Sequence, residues 1–323
     1  TLTIHPGVYV EFQGNYSIEV TGKIKALGSA NLPVTFIVAD TSSFADTTTL
    51  AGGWGGIKFL QNQNDTSILN YCNFSNGKAI QPGSSPLNPN NQDLKGGAIY
   101  ANGYANILIE NSVFSNNMAC FSGGAIMAIN QQSCVIRNSF FQYNRVLADG
   151  GAVWINNVTK IDISNNIFTR NKAIRFSETA WGTSVSGAGA AMWLGAQTNN
   201  AVISGNIITN NFSPNASFYE TNYKCNISNN IVMNNRGPGI MIGHYASISL
   251  YTNNTISNNK GFNHKLCGLV FFSPNIKMKN MIIYGNESDE IYWDPIQLYT
   301  LDDVKADFAY SCNPDRPDFY QGE

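Results

Sequence analysis

Charge is what this sequence has least of. Its 323 residues hold 19 Lys and Arg and 21 Asp and Glu, 12% in all, where an ordinary globular chain carries roughly 25%. The formal net charge is −2, and 12% of the residues are aromatic, which argues against a disordered acidic or basic tail. No run approaches the length of apolar residues that a membrane-spanning helix needs. The six cysteines (Cys72, Cys120, Cys134, Cys225, Cys267, Cys312) show no CxxC or metal-type spacing, so buried free thiols are favoured over disulfides. Phosphate-binding glycine loops are absent too: there is no GxxxxGK[ST], and no GxGxxG between a strand and a helix. No nucleic-acid partner and no cofactor is therefore expected. The chain begins at Thr1 with neither Met nor a basic-then-apolar leader. Either a targeting signal has been removed or the sequence is a piece of a longer, exported protein with further domains.

The missing charge is replaced by amide. Asn occurs 44 times and Gly 29 times, and both are weak helix formers, which disfavours a helical bundle. The asparagines are spaced regularly. YCNFSNG (71–77), NSVFSNN (111–117), NSFFQYN (138–144), NNIFTRN (165–171), GNIITNN (205–211), NNIVMNN (229–235), NNTISNN (253–259) and NMIIYGN (280–286) align on one apolar anchor. The anchors are Phe74, Phe114, Phe141, Phe168, Ile208, Val232, Ile256 and Ile283, separated by 40, 27, 27, 40, 24, 24 and 27 residues. Three positions later comes Gly77, then Asn117, Asn144, Asn171, Asn211, Asn235, Asn259 and Asn286. Gly and Asn most readily adopt left-handed backbone, so this column predicts a tight bend in each repeat. Its side chains can also hydrogen-bond along the stack.

A second element accompanies each anchor: GGIKF (55–59), GGAIY (96–100), GGAIM (123–127), GGAVW (150–154), AAMW (190–193), PGIMI (238–242) and CGLVF (267–271). Such short strands cannot bury a core singly but can when stacked in register about 4.8 Å apart. The pattern predicts an all-β fold, a single parallel β-helix of about ten turns. Two longer loop insertions are expected, at Gln81–Leu94 and Thr179–Ser186. The repeats span 1–286, and 287–323 reads as a C-terminal cap or junction segment.

The GGA[IV] and FxxN motifs, here Gly96–Ile99, Gly123–Ile126 and Gly150–Val153 with Phe114–Asn117, Phe141–Asn144 and Phe168–Asn171, resemble the polymorphic outer-membrane protein repeats. The opening LTIHPGVYVEF and GWGGIKF are similar to secreted bacterial β-helix surface proteins. The likeness covers most of residues 1–290 and implies right-handed coiling and an exported adhesin. After Ile208 the motifs fade to GI, GL and IxxN.

Two outer columns are candidate binding faces. With the third and fifth positions of GGAIY turned inward, the fourth faces out. After Lys58 this makes an apolar stripe of Ile99, Ile126, Val153, Met192, Met241 and Val270. The opposite phase would instead expose Tyr100, Trp154 and Trp193 as a sugar-stacking platform. One residue past the Asn column lies a basic stripe, Lys78, Arg145, Lys172, Arg236 and Lys260. It suits an acidic polysaccharide, or else is a solvated edge. Residues 95–286 hold 13 bases against five acids, whereas 287–323 hold ten acids against two bases.

Catalytic chemistry is thinly represented. Glu110, Asp149, Asp162, Glu178 and Glu220 are scattered, with neither the paired carboxylates of a glycosidase nor an acidic metal cage. His244, Tyr245 and Lys265 are the remaining candidates for an eliminative base, acid and neutralising group. The sequence thus favours a secreted or cell-surface adhesion or interaction module binding an acidic polysaccharide or a protein. A polysaccharide lyase and an inert spacer are the alternatives.

Overall fold

A computed structural model describes residues 1–82, 90–174, 187–195, 201–221, 224–243, 249–261, 266–272 and 276–288, together with the strands Ile296–Thr300 and Ala306–Ala309. Among the described residues all strand pairs are parallel, in sheets of 17, 10, four and two strands. One coil shows how a repeat is made. Strand Ile126–Arg137 bends at Asn130 (φ 56°) and ends at Asn138 (φ 50°). The short strand Phe140–Gln142 runs to Tyr143 (φ 56°), then Arg145–Val146 leads to Gly150 and the next coil. The ten-stranded sheet takes one strand from each of ten coils, so nine steps make a rod of about 43 Å.

The expected parallel β-helix is therefore what the chain forms. The anchors Phe74, Phe114, Phe141 and Phe168 are fully buried and stack on Phe36 and on one another at 4.7–4.9 Å between ring centroids. Where anchors become aliphatic, Ile208, Val232, Ile256 and Ile283 continue the same column.

The Asn column does less bending and more bonding than the sequence implies. The left-handed residues are the ones immediately before it: Asn76, Asn116, Tyr143, Arg170, Asn210, Asn234, Asn258 and Gly285. The column itself, from Asn117 to Asn286, points into the core and is buried. Asn171 Oδ1 accepts from the Asn144 N–H at 3.0 Å and from Asn144 Nδ2 at 2.9 Å. Asn171 Nδ2 donates at 3.0 Å each to the Phe141 carbonyl and Asn211 Oδ1. A second buried ladder flanks the other end of the anchor strand. Ser112, Ser139, Asn166, Asn206, Asn230 and Asn254 each take the N–H of the preceding coil. Asn211 and Asn286, which both open Asn-x-Ser sequons, are ladder residues with 1% exposure.

The Gly-Gly pairs make the remaining corner. Gly150 has φ +74°, and a Cβ on Gly124 would lie 2.0 Å from the Gly151 carbonyl oxygen, so the coils approach too closely for any side chain. At this corner strand alternation fails. The Ala125 carbonyl accepts from the N–H of both Ala98 and Ile99, and both side chains enter the core.

The insertion at Gln81–Leu94 ends in a 3-10 turn, Gln92–Leu94, with Leu94 buried; residues 83–89 and 175–186 lie outside the described residues. A further excursion, 39–53, precedes the first anchor, so anchor spacing could not reveal it. Beyond residue 287, Ile296–Thr300 and Ala306–Ala309 pair with Leu266–Phe271 and Ile276–Lys279 in the largest sheet.

Among the described residues the five cysteines are buried thiols, and none is in a disulfide. Burial pushes the Cys72 and Cys134 thiols up to about 12, from an ordinary 9.0. Between those values the folded chain holds protons that the unfolded chain has released, so stability is complete below pH 9 and falls as pH rises. Urea unfolding at pH 8 and 10.5 should differ by about 2 kcal/mol per thiol, and C72A/C134A should flatten the difference. Replacing Asn171 by Ala orphans several buried groups and should cost about 3–5 kcal/mol in the same assay. Asn165→Gly, at an exposed left-handed bend, should stay within a few tenths.

Candidate functional site

The outer face of the largest sheet carries a column other than the expected apolar one. Ile99, Ile126, Val153 and Met192 lie inside the main core, at most 1% exposed. Their GGA corner turns two successive residues inward and shifts the phase. Strand register instead aligns Lys58, Tyr100, Met127, Trp154, Trp193, Tyr219, Met241 and Val270 on the outside. Met241 and Val270 do belong to this outer column, yet they are 8% and 0% exposed, in a satellite cluster with Ala216, Tyr219 and Phe272.

This is the opposite phase, with Trp154 and Trp193 half-buried at its centre. Their rings stack at 4.8 Å with 3° between planes, and Tyr219 follows at 6.2 Å and 9°. The Trp193 ring leans over Gly195, where a Cβ would come within 2.4 Å of it. Rings stacked along the rod spend their faces on one another. A sugar packing against an aromatic side chain needs a free face, so this ladder is built as packing.

The basic stripe is in register as the sequence implied: Lys78, Met118, Arg145, Lys172, Phe212, Arg236, Lys260 and Glu287 occupy successive coils. Its members differ in role. Lys78 is 1% exposed, and its ammonium donates to the carbonyls of Ser43, Asp46 and Ala51 at 3.0, 2.8 and 2.7 Å. Burial holds its pKa below the ordinary lysine value, partly offset by Asp46. Arg145 lies over the Phe44 ring at 5.7 Å and donates to the Ala45 carbonyl. Phe44 in turn packs on the cluster of Ile80, Leu94, Met118 and Cys120. These two cations therefore clamp the loop 39–53 onto the rod. Lys172, Arg236 and Lys260 are exposed, with the Arg236 guanidinium 5.4 Å over the Phe212 ring.

Between this loop and the turn at Gln92–Leu94 lies a cleft of about 340 Å³, lined by Lys58, Lys78, Asn15, Asn91 and Asp93 among others. The Lys58 ammonium bonds the Asp93 carboxylate across it. The cleft therefore joins two opposite charges, and among the described residues that line it there is no nucleophile–base pair.

The four scattered acids among the described residues are also committed. Asp162 takes a 2.5 Å bond from Arg137, which also faces Glu110 at 3.9 Å. Asp149 caps the Ala188 N–H. Glu220 is wholly buried, accepting from the Tyr251 hydroxyl at 3.0 Å and the Cys225 thiol at 3.4 Å. Burial first, then the Glu220 charge, pushes Tyr251 well above 10. Sequence reading missed this polar knot because a lone Glu in a strand carries no spacing signal. His244, Tyr245 and Lys265 lie outside the described residues, as does Glu178. Among the described residues no three His, Cys, Asp or Glu are grouped to hold a metal ion, and no helix is long and apolar enough to cross a membrane.

Lys78→Met keeps the aliphatic stem but leaves three carbonyls without their donor. It should cost about 1–3 kcal/mol and open residues 39–53 to limited proteolysis, read by mass spectrometry of the fragments.

A search of curated proteins returned no match. The family model described as "Right handed beta helix region" matches residues 4–265, the coils whose ladders and stacked anchors are set out above. The chain belongs to the right-handed β-helix region family.

Proposed function

We propose that the chain is an extracellular or cell-surface adhesion and interaction module that holds an acidic polysaccharide along the side of the rod. One observation carries this reading. Lys172, Arg236 and Lys260 are exposed cations on one straight column, with Phe212 in register between the first two. Coils repeat every 4.8 Å or so, and an extended uronic-acid polymer likewise presents its carboxylates as a regular row. A rigid row of cations needs little reordering to meet such a chain, and its field also steers the approach. The GGA[IV] and FxxN repeats, similar to those of outer-membrane adhesins, support an exported setting. Lys78 and Arg145 leave the original five-residue stripe because they serve the loop 39–53.

Calorimetry with polygalacturonate and alginate, using dextran as the neutral control, tests the reading. The native chain should bind the two polyanions more weakly as salt rises. The triple variant K172Q/R236Q/K260Q should bind about tenfold to a hundredfold more weakly. Equal affinity of native and triple variant overturns the proposal. Release of unsaturated sugar, followed by ultraviolet absorbance, would replace it with the lyase alternative.

A further inference from the structure

A different face of the rod is nearly without charge. In each of eight coils from Tyr71 to Gly285, the ten-stranded sheet presents two outward strand positions and two left-handed bend positions. Of these thirty-two positions (four in each of eight coils) only Arg170 bears a charge. One strand column reads Asn73, Val113, Phe140, Ile167, Ile207, Ile231, Thr255 and Ile282. Ile167, Ile207, Ile231 and Ile282 are 37–49% exposed. The parallel column is mainly hydroxyl, including Ser75, Ser115, Thr169, Thr209 and Ser257, and the bends are mainly Asn.

We infer that this face is the interface between two copies of the chain, lying side by side. Eight coils about 4.8 Å apart and some six residues across give a flat area of about 540 Å² per copy. That is roughly 1,100 Å² in total, just above what a specific interface requires. The face suits a copy of itself because it is self-complementary. A two-fold axis sets like against like, which a charged face resists and an uncharged one permits. Its apolar column is aliphatic, fitting another aliphatic column better than a sugar, whose usual partner is an aromatic face. The hydroxyl and amide columns beside it can exchange hydrogen bonds across the join. The exposed cations Lys172, Arg236 and Lys260 lie beyond the bend, outside this face. Rods related by a two-fold parallel to their axes keep the two basic columns on opposite sides of the dimer. Antiparallel rods would bring those columns against each other. Parallel rods are therefore the arrangement assigned.

Sedimentation velocity of the native chain from submicromolar to near-millimolar concentration should show a reversible monomer–dimer equilibrium. I207E/I231E should shift it to monomer by at least tenfold in the dissociation constant. The milder I167T/I207T/I231T preserves strand propensity and should weaken it by a smaller factor. Circular dichroism of each variant confirms that the coil is intact. K172Q/R236Q/K260Q should dimerise as the native chain does, which separates this surface from the polysaccharide column. A Val113→Cys variant should cross-link to itself on oxidation, since parallel rods place the same coil opposite. A native chain that stays monomeric throughout, or face variants that dimerise unchanged, overturns the inference. A dimer in which Val113→Cys fails to self-link overturns the parallel arrangement.

Discussion

Everything in this structure depends on holding one coil on the next at a fixed height, and the buried amide ladders are the part of the core that does so directionally. Stacked Phe and Ile side chains run through the apolar core, but hydrophobic contact is non-directional. A carboxamide that accepts from the coil before it and donates to the coil after it has one good position. From Asn117 to Asn286, and from Asn166 to Asn254 in the flanking column, each link is made twice over, through the backbone N–H and through the side chain, whereas Ser112 and Ser139 take the backbone N–H alone. In a low-dielectric interior an unmade bond of this kind is costly. Slipping a coil by one residue would leave a row of amides unpaired and turn the anchor side chains outward.

Fixed coil height converts sequence positions into straight columns, and columns are what the outside of the rod offers. The same geometry yields the stacked Trp154, Trp193 and Tyr219, the run of cations and the long uncharged face. They differ in how much of each column is already spent. The aromatic rings are spent on one another, and Lys78 and Arg145 on a loop. The three exposed cations and the aliphatic column still face outward. The functional proposal and the inferred dimer rest on these exposed columns, on two separate sides of the rod.

Much of this was legible in the residues. The anchors, their period and the Asn excess specified stacked coils, and the basic column was visible because every repeat places it at one offset. What misled was the corner. Counting alternation from Gly-Gly put Ile99, Ile126, Val153 and Met192 outside, whereas both side chains turn in at each corner, and at Ile99, Ile126 and Met192 the two N–H groups share one carbonyl. The bend was likewise assigned to the ladder Asn instead of the residue before it. Asn fills both positions in several repeats, and only Tyr143, Arg170 and Gly285 set the bend column apart from the ladder.

The sequence by itself determined the repeat, the inward anchors and the ladders, because these are local patterns that recur at a fixed spacing. The tertiary structure alone decided which repeated residues remain available. Loop 39–53 returns from far along the chain to cover Lys78 and Arg145, and Glu220 meets Tyr251 and Cys225 across a coil. Such contacts join residues with no common offset, so no period in the sequence could announce them.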